Sequence, residues 1–544
     1  MNSESLLTRV GLSSAWNKSA SVLTFVSDAL LNQLENVSSD KKRLTLITGT
    51  VVTTSFVLWK MMMPRRSKSL KIEMVSGGLP YFGHYFELLR DHQAFLKRCK
   101  KEKGPVFTIR INNEDLTIVT GPLIREMLHK SRYFNFEEGI QSIIPIERAL
   151  QVSYDHKYKG EKLSRREKNP VSYPIKHNFK EEQLGVFSER LQLAVNKALN
   201  AKLDIQPGEK KTLPAWETLA LTVSQISCLC FCGSKIGCNQ EFVLAMANFT
   251  KNVIRIGIAL TVLPNWIANF VIKRYLSVES QIDLIMDLVV PELEKIRSGK
   301  ISHDQEPTYI SMALNLPKAG GQLRTPQEAA FAFKSVVLAS IHTTTQTASY
   351  ALHELACRPG LVADLRAEIE KLDKITPETV GEIRLLDSLL REVLRYDISI
   401  FGMNHKVMED VVLSTGQVIP RGQLVHGAMF DAHTSPETMP ETAHISLTPL
   451  DQFDAYRFLN AKDNNMASSS IDSEFMTFGL FAHACPGRFF AVHEIKYLLA
   501  ILIMRYNITT KSGERAQDFL MRGMTRFPPT ESLIFEGRKQ YVTI

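Results

Sequence analysis

Apolar residues recur at helical spacing along most of this chain, and alternation of apolar and polar residues is confined to short segments. The segments 106–110 and 116–120 alternate and are expected to be strands. Residues 151–170 and 464–473 are polar and charged, which predicts exposed loops. The pattern predicts a mostly α body with a small β portion over 79–544, without an internal domain boundary or repeats.

One segment of this body predicts a very long helix. Thr325, Pro326 and Glu328 supply a capping residue, a proline at the first helical position and the acid of a capping box. The helical pattern continues to Cys357, so the helix would be about 48 Å long and would cross the whole body. Its middle contains three consecutive threonines at 343–345, which are poor helix formers and can donate their hydroxyls to carbonyls one turn earlier.

The N-terminal part of the chain carries an uncharged apolar run at 44–59, which three methionines at 61–63 extend. This length is near the lower limit for crossing a bilayer and predicts one transmembrane helix over 44–63. More Lys and Arg residues follow the run than precede it, which predicts a cytosolic body, a lumenal segment at 1–43 and a basic linker at 64–78. A buried core helix is the alternative.

Composition adds little to this picture. The 544 residues are 44% hydrophobic and 22% charged, as in globular proteins. The net charge of +8 suits a solvated basic surface, or a surface for an acidic partner protein or anionic lipid. Asn17 and Asn36 begin glycosylation sequons, and a glycan on either would support the predicted membrane orientation.

The seven cysteines differ in their surroundings. The odd number argues against a disulfide framework. Four of them form a cluster, Cys228, Cys230, Cys232 and Cys238. The cluster lacks the usual spacing of zinc ligands, so we expect these side chains to pack in the core. Cys485 instead lies in a glycine-punctuated loop at 478–491, directly before an apolar helix predicted over 492–506. A helix N-terminus lowers a nearby thiol pKa, so this geometry predicts a thiolate, which in an apolar pocket can ligate heme iron.

Residues 478–491 resemble the heme-binding signature of the cytochrome P450 superfamily at its Phe, Gly, Cys, Gly and Ala positions. The resemblance implies the cytochrome P450 fold and heme b with Cys485 as the axial thiolate ligand of its iron. It also implies a set of cofactor-binding residues: Phe478, Gly479, His483, Gly487 and Arg488. It places His483 near a heme propionate, and Arg488 either at a propionate or toward a redox partner. A surface role for His483 or Arg488 is the alternative.

Residues 339–345, which read Ala-Ser-Ile-His-Thr-Thr-Thr, are similar to the oxygen-activation motif of the family. The resemblance implies that Thr343 is catalytic and steers protons to O2. Ser340 and His342 depart from the usual glycine and acid, and the histidine resembles fungal microsomal members. We expect His342 to be catalytic as a proton relay, because the unperturbed pKa of histidine is near neutral. The alternative is a buried row of threonines whose hydroxyls bond only to the backbone.

Glu392 and Arg395 lie three residues apart on a predicted helix and can pair on one face. They resemble the Glu-x-x-Arg pair of the family, and Arg457 matches the arginine of a later segment that joins it. The resemblance implies that all three support the heme pocket structurally, since breaking one partner of a buried pair strands a charge. His405 lies where the family often has a propionate-binding arginine.

The resemblance implies a monooxygenase that inserts one atom of O2 into an apolar small molecule of steroid, terpenoid or fatty-acyl type. Electrons would come from NADPH through NADPH–cytochrome P450 reductase, with cytochrome b5 as a further donor, because the chain shows no G-x-G-x-x-G motif opening a βαβ unit and no flavin module. We expect a single-pass protein of the endoplasmic reticulum membrane without a nucleic-acid partner. By analogy with the family, four segments would line the substrate pocket: 134–146, 335–343, 398–403 and 523–528.

Two other classes of protein stay open. A heme-thiolate isomerase or dehydratase would act without external electrons, but such enzymes tend to lose the threonine that Thr343 represents. A non-catalytic membrane heme protein would not need a complete set of oxygen-activating residues. Turnover without NADPH would favour the isomerase or dehydratase.

Overall fold

The computed structural model describes residues 72–539 except 81, 112–113, 144, 155–156, 158–168, 264, 303–305, 319, 398–403, 440–445, 460–466 and 522–524. The predicted transmembrane helix, the predicted lumenal segment and both sequons lie outside the described residues. The folded body begins before the predicted start at 79. Ile72 and Val75 are buried, and Met74 forms a bridge with Thr108 of the first strand.

Helices make up most of the described chain, as the apolar periodicity predicted. In chain order they are α1 (Tyr85–Lys103), α2 (Leu123–His129), α3 (Phe136–Ile143), α4 (Ile146–Tyr154), α5 (Ser172–Asn178), α6 (Ser188–Lys202), α7 (Ala215–Cys232), α8 (Ser234–Gly237), α9 (Gln240–Val262), α10 (Asn265–Val271), α11 (Glu279–Arg297), α12 (Tyr309–Leu314), α13 (Pro326–Ala356), α14 (Pro359–Ile369), α15 (Arg384–Tyr396), α16 (Met429–Thr434) and α17 (Arg488–Arg505). Shorter turns of 3-10 or π helix lie at Glu181–Phe187, Ile272–Leu276, Thr379–Glu382 and Phe481–His483.

The β portion is small and forms four separate sheets among the described residues. The strands are β1 (Val106–Ile111), β2 (Glu114–Val119), β3 (Phe134–Asn135), β4 (Lys210–Pro214), β5 (Asn404–Val407), β6 (Val411–Val412), β7 (Val418–Ile419), β8 (Leu424–Gly427), β9 (Tyr506–Thr509), β10 (Phe519–Met521), β11 (Thr525–Phe527) and β12 (Ser532–Gly537). The largest sheet has the order β1-β2-β8-β5-β3, in which β2 and β8 run parallel. The others are β4-β12-β9 and the antiparallel pairs β10-β11 and β6-β7. The two strands predicted from alternation are β1 and β2.

The long helix predicted from residue 325 onward is α13. Thr325 Oγ1 accepts a hydrogen bond from the Glu328 N–H at 3.2 Å, and the Glu328 carboxylate accepts one from the Thr325 N–H at 2.8 Å. This capping box satisfies N–H groups that would otherwise lack partners at the helix start, and Pro326 has no N–H that needs one. The helix ends at Ala356, one residue before the predicted end. It packs against α7, α11 and α17, so it runs through the main hydrophobic core.

Helix α7 is, among the described residues, the one helix long and apolar enough to cross a membrane, and most of it lies buried in the core. Three of its residues are the clustered cysteines Cys228, Cys230 and Cys232, which are buried as the sequence predicted. Burial raises the pKa of the Cys228 thiol to about 12. These thiols therefore act as small apolar groups.

Candidate active site

The loop that contains Cys485 is closed by its own main chain. The Cys485 N–H donates to Phe478 O at 2.7 Å, and the His483 N–H donates to Leu480 O at 2.9 Å. Gly479 adopts φ +71°, and a Cβ atom at this position would lie 2.4 Å from His483 O. Both the backbone conformation and the close approach therefore require glycine at 479.

Cys485 lies directly before α17, which begins at Arg488 and not at the predicted 492. Burial raises the pKa of the Cys485 thiol above its ordinary value, while the backbone N–H groups of Gly487 and Arg488 and the Arg488 charge lower it. The helix N-terminus therefore lowers the pKa of this thiol as predicted, and burial opposes it with the larger effect. A cation bound to the sulfur favours the thiolate.

A buried nitrogen beside this loop lacks a hydrogen-bond partner. Within the part of the chain that the structure describes, His483 Nε2 is buried and no group bonds to it. The His483 and His405 rings are nearly perpendicular, with centroids 5.0 Å apart. Burial lowers the pKa of His483. Because an unsatisfied buried donor or acceptor costs free energy, this nitrogen is suited to a polar group of a ligand.

Arg488 folds back onto the chain that precedes it. Its Nη1 donates to Cys485 O and its Nε donates to Ser469 O, both at 3.0 Å. The guanidinium also lies over the Phe489 ring, 4.1 Å from its centroid. The structure therefore gives Arg488 a part in fixing the cysteine loop that neither sequence alternative included.

The middle of α13 presents an uncovered surface. Ala339 and Thr343 are four residues apart and lie on one face, and both are exposed although Thr344 and Thr345 are buried. The Thr343 hydroxyl donates to Ala339 O at 2.7 Å, and the Thr345 hydroxyl bonds one turn back in the same way. The hydroxyls of Thr343 and Thr345 thus bond to the backbone, as the alternative proposed, but Thr343 is not buried. Thr343 still has an oxygen that can accept another hydrogen bond from the open side.

His342 lies further around α13 than Thr343. Its ring packs edge-on against Trp216 of α7, with centroids 5.6 Å apart. Burial lowers the pKa of His342 to about 4, and the nearby Lys251 of α9 adds to this effect. His342 is therefore neutral near pH 7. Its Nδ1 has no hydrogen-bond partner among the described residues, and its role as a proton relay stays a prediction.

Helix α17 links the cysteine loop to the threonines of α13. The two helices pack together, and the Glu494 carboxyl of α17 shares a hydrogen bond with the Thr344 side chain. Burial holds the pKa of Glu494 well above its ordinary value, which favours the neutral acid. Thr344 adjoins Thr343, and Cys485 lies just before the start of α17. Thr343 therefore lies on one helix of this packed pair, and Cys485 lies in the loop that leads into the other.

The predicted charged triad is assembled and fully buried. Glu392 accepts hydrogen bonds from Arg395 Nε and Nη2 at 2.7 Å each, and Arg457 Nε lies 3.3 Å from both carboxylate oxygens. The arginines also donate to main-chain carbonyls, including Arg395 Nη1 to Leu450 O at 2.7 Å and Arg457 Nη1 to Thr448 O at 2.8 Å. One carboxylate thus pairs with two guanidinium groups, and carbonyl dipoles offset the excess positive charge.

A protein-family model described as Cytochrome P450 matches residues 75–535, which is most of the chain. The chain belongs to the cytochrome P450 family. This result confirms the family inferred from residues 478–491 and the predicted enzyme class, a cytochrome P450 monooxygenase.

Related proteins and a related structure agree with this membership. Cytochrome P450 monooxygenase 71 of Postia placenta is 24% identical over 477 residues, which cover 84% of this chain and 91% of that protein. Cytochrome P450 monooxygenase ntnM of Nectria sp. is 29% identical over 348 residues, which cover 61% of this chain and 64% of that protein. The structure of retinoic acid-bound cyanobacterial CYP120A1 has a TM-score of 0.60 at 19% identity and covers 86% of this chain and 100% of its own. This likeness confirms the mostly helical P450 fold with a small β portion.

The residues of this P450 fit the heme that the family implies. Cys485 offers a sulfur atom to which two backbone N–H groups point, which suits an iron-bound thiolate. His483 offers a buried nitrogen without a partner among the described residues, which suits a propionate oxygen. Cys485 would therefore hold the iron and His483 would hold a propionate. Phe478, Gly479 and Gly487 would shape the loop that carries these two residues.

Sequence reasoning missed two residues of this P450 that contact the site. Trp216 packs against His342, and nothing in the sequence near Trp216 indicates a contact across more than a hundred residues. Glu494 bonds to Thr344, and here a signal was present: it is a lone acid within an apolar helix. A buried acid in such a helix needs a polar partner, although the sequence does not say which residue supplies it.

Proposed function

We propose that this cytochrome P450 monooxygenase oxidises an apolar small molecule of steroid, terpenoid or fatty-acyl type. One oxygen atom enters a C–H bond, and the other leaves as water after two protons and two electrons are supplied. When bound, the heme supplies the activation of O2. The observation that carries the proposal is the exposed face of α13 at Ala339 and Thr343, on a helix that packs against α17 beyond the cysteine loop.

Thr343 is the group that this chain places to handle a proton at that face. Its hydroxyl donates to Ala339 O, so its oxygen can accept a hydrogen bond from water and return a proton by rotation. Ala339 has a small side chain, which leaves room for a substrate beside Thr343. His342 is neutral, and its Nδ1 has no hydrogen-bond partner among the described residues. These properties suit a second group that passes protons along the same path as Thr343.

Electrons would come from NADPH through a separate reductase, with cytochrome b5 as a second donor. Support for docking comes from the surface next to the cysteine loop. Phe481 of that loop is exposed and packs edge-on against His129, with centroids 4.8 Å apart. The two residues border a cavity of about 470 Å³ that Arg125 and Glu126 also line. An exposed aromatic residue beside charged groups, close to the iron ligand, suits a polar protein partner.

The proposed membrane location has support beyond the apolar run at 44–63. Helix α10 and the π-helical turn after it expose Trp266, Phe270 and Tyr275, of which Trp266 is 72% exposed and Phe270 64% exposed. Lys273 and Arg274 lie between them in sequence. Exposed aromatic residues next to basic residues are typical of contact with a lipid surface. We therefore place the catalytic domain against the cytosolic face of the endoplasmic reticulum membrane.

Replacing Thr343 by alanine tests the proposed proton delivery. In a reconstituted system with NADPH and reductase, we expect product per NADPH to fall by about two orders of magnitude, the lower end of what a positioned proton donor contributes, and peroxide per NADPH to rise. Coupling is measured with a steroid, a terpenoid and a fatty acid as separate probes.

Thr347→Ala is the matched control for this experiment. The Thr347 hydroxyl also bonds one turn back, to Thr343 O at 3.1 Å, and Thr347 lies one turn further along the same helix face, but its side chain is buried. We expect this variant to keep the coupling of the wild type. Unchanged coupling in Thr343→Ala would remove Thr343 from the mechanism. Product formation without NADPH would favour the isomerase or dehydratase class.

A further inference from the structure

A largely buried network of charges joins α13, the end of α15 and the segment that forms β10 and β11. It contains three acids, Glu354 of α13, Asp397 after α15 and Asp518, and three arginines, Arg358, Arg515 and Arg526. Glu354 is 1% exposed and Asp397 is fully buried. Asp518 and Arg526 belong to the segment that forms the strands β10 and β11. The network therefore connects this hairpin to the long helix and to the end of α15.

Arg515 forms the centre of one half of the network. It pairs with Glu354, with Asp397 Oδ1 at 3.0 Å and with Asp518 Oδ1 at 2.9 Å. Burial holds the pKa of Asp397 well above its ordinary value, and the neighbouring Glu354 charge raises it further. A buried charge of this kind is costly unless its partners keep their positions. The half around Arg515 therefore fixes the start of the hairpin segment.

Arg526 forms the centre of the other half and is itself a residue of β11. Its Nη2 donates to Asp518 Oδ2 at 2.5 Å, and its Nη1 donates to Tyr396 O at 2.9 Å. Its main-chain carbonyl accepts a hydrogen bond from Gln346 Nε2 of α13 at 2.9 Å. One strand residue is thus bonded to α13, to α15 and to the preceding strand segment.

These bonds place β11 beside the exposed face of α13. Gln346 lies three residues after Thr343, so the two side chains share a face of the helix. Trp216 packs against both the His342 ring and the Phe527 ring, with centroids 5.6 and 6.4 Å away. Strand β11 therefore borders the same turn of α13 as the proposed site of oxidation.

The hairpin needs these tethers. Strands β10 and β11 pair over three residues each and belong to no larger sheet among the described residues. A two-stranded ribbon of this length is marginally stable by itself. Its position relative to α13 therefore depends on bonds that link it to other elements, chiefly those of Arg526 to Gln346 and to Tyr396, and on Asp518, which ties Arg526 to Arg515.

We propose that Gln346, Asp518 and Arg526 are positioning residues that hold β11 beside Thr343 and thereby determine which bulky apolar ligands fit over that turn. This inference deepens the proposed function and rests on it for the location of the substrate. The affinity of a small ligand that reaches only the iron should not depend on the position of the hairpin. The affinity of a bulky ligand that extends along α13 should depend on it.

The test compares two iron-binding probes in the heme-loaded full chain. Imidazole is small, ketoconazole is bulky and apolar, and the binding of each is titrated from the shift of the heme absorption band. In Gln346→Ala we expect the Kd for ketoconazole to rise about tenfold, a change that loss of one positioning hydrogen bond can produce. The Kd for imidazole should stay within about twofold of the wild type.

Gln423→Ala is the matched control. The Gln423 amide also donates to a main-chain carbonyl, Asp115 O at 3.1 Å, but it joins β2 to the start of β8. We expect both Kd values to be unchanged in this variant. Asp518→Asn should reproduce the selective loss of ketoconazole binding. Gln346 is uncharged, so Gln346→Ala leaves no buried charge without a partner and is expected to remain folded. If Asp518→Asn does not hold heme, the Gln346→Ala result alone tests the proposal.

An equal weakening of both probes in Gln346→Ala, or no weakening of either, would overturn the proposal. A selective loss of ketoconazole binding would support it. The proposed function can fail separately. A wild-type protein that binds both probes but gives no NADPH-dependent product from any steroid, terpenoid or fatty acid would contradict that function and leave the role of the hairpin tethers intact.

Discussion

Glutamine in place of Glu392 is expected to leave little protein that can hold heme. The carboxylate pairs with two fully buried guanidinium groups, and the substitution leaves both without a counter-charge. Breaking a buried pair in this way costs about 3–5 kcal/mol. That is a large part of the ~5–15 kcal/mol by which folded proteins are usually stable. The measurements are urea unfolding and the ratio of heme to protein after purification.

Glu409→Gln is the control for this substitution. Glu409 pairs with Arg132 at 3.4 Å, and both side chains are mostly exposed. An exposed pair of this kind contributes about 0–1 kcal/mol, so we expect wild-type heme content and unfolding. Full heme content in Glu392→Gln, with unfolding within about 1 kcal/mol of the wild type, would contradict the structural role of the triad.

Alanine in place of Gly479 is expected to open the cysteine loop. The backbone there has φ +71°, which costs an alanine about 1–2 kcal/mol. The new Cβ would also lie 2.4 Å from His483 O, so the main chain must move, at a further cost of about 1–3 kcal/mol. Because this movement shifts the chain next to Cys485, we expect heme loss together with reduced stability, measured by the same two assays.

Gly513→Ala separates the two costs. Gly513 has φ +77°, but a Cβ atom there would meet nothing within 4 Å. This variant should lose only the stability that the backbone conformation accounts for, and it should keep its heme. Equal losses of heme in Gly479→Ala and Gly513→Ala would show that the contact with His483 O does not shape the loop.

Local features of this protein were predictable because their causes are local. The start of α13 depends on Thr325, Pro326 and Glu328, which are neighbours in sequence. The pairing of Glu392 with Arg395 follows from helical spacing alone. The resemblance to a known signature supplied the third partner, Arg457, which no local rule would have identified.

The thiol of Cys485 shows where local rules fail. A helix N-terminus lowers a thiol pKa, and the backbone N–H groups of Gly487 and Arg488 do so here. Burial depends on the whole fold, and it has the larger effect. Arg488 shows the same limit, because its bond to Ser469 O depends on a loop whose path no motif encodes.

The charge network around Arg515 and Arg526 was not predicted for a related reason. Arg515 pairs with Glu354 and Asp397, which lie 161 and 118 residues earlier in the chain. A single sequence contains no signal for pairs of such separation. His342 is similar, since its low pKa comes from burial and from the nearby Lys251, neither of which its own motif encodes.

The most direct test of the account is the absorption spectrum of the dithionite-reduced, CO-bound protein beside that of Cys485→His. With Cys485 as the iron ligand, we expect a strongly red-shifted Soret band in the wild type, because the thiolate donates electron density to the iron. We expect a band at the ordinary position in the variant. A folded wild-type protein that shows no heme band, or a band at the ordinary position, would contradict the assignment of Cys485 as the iron ligand.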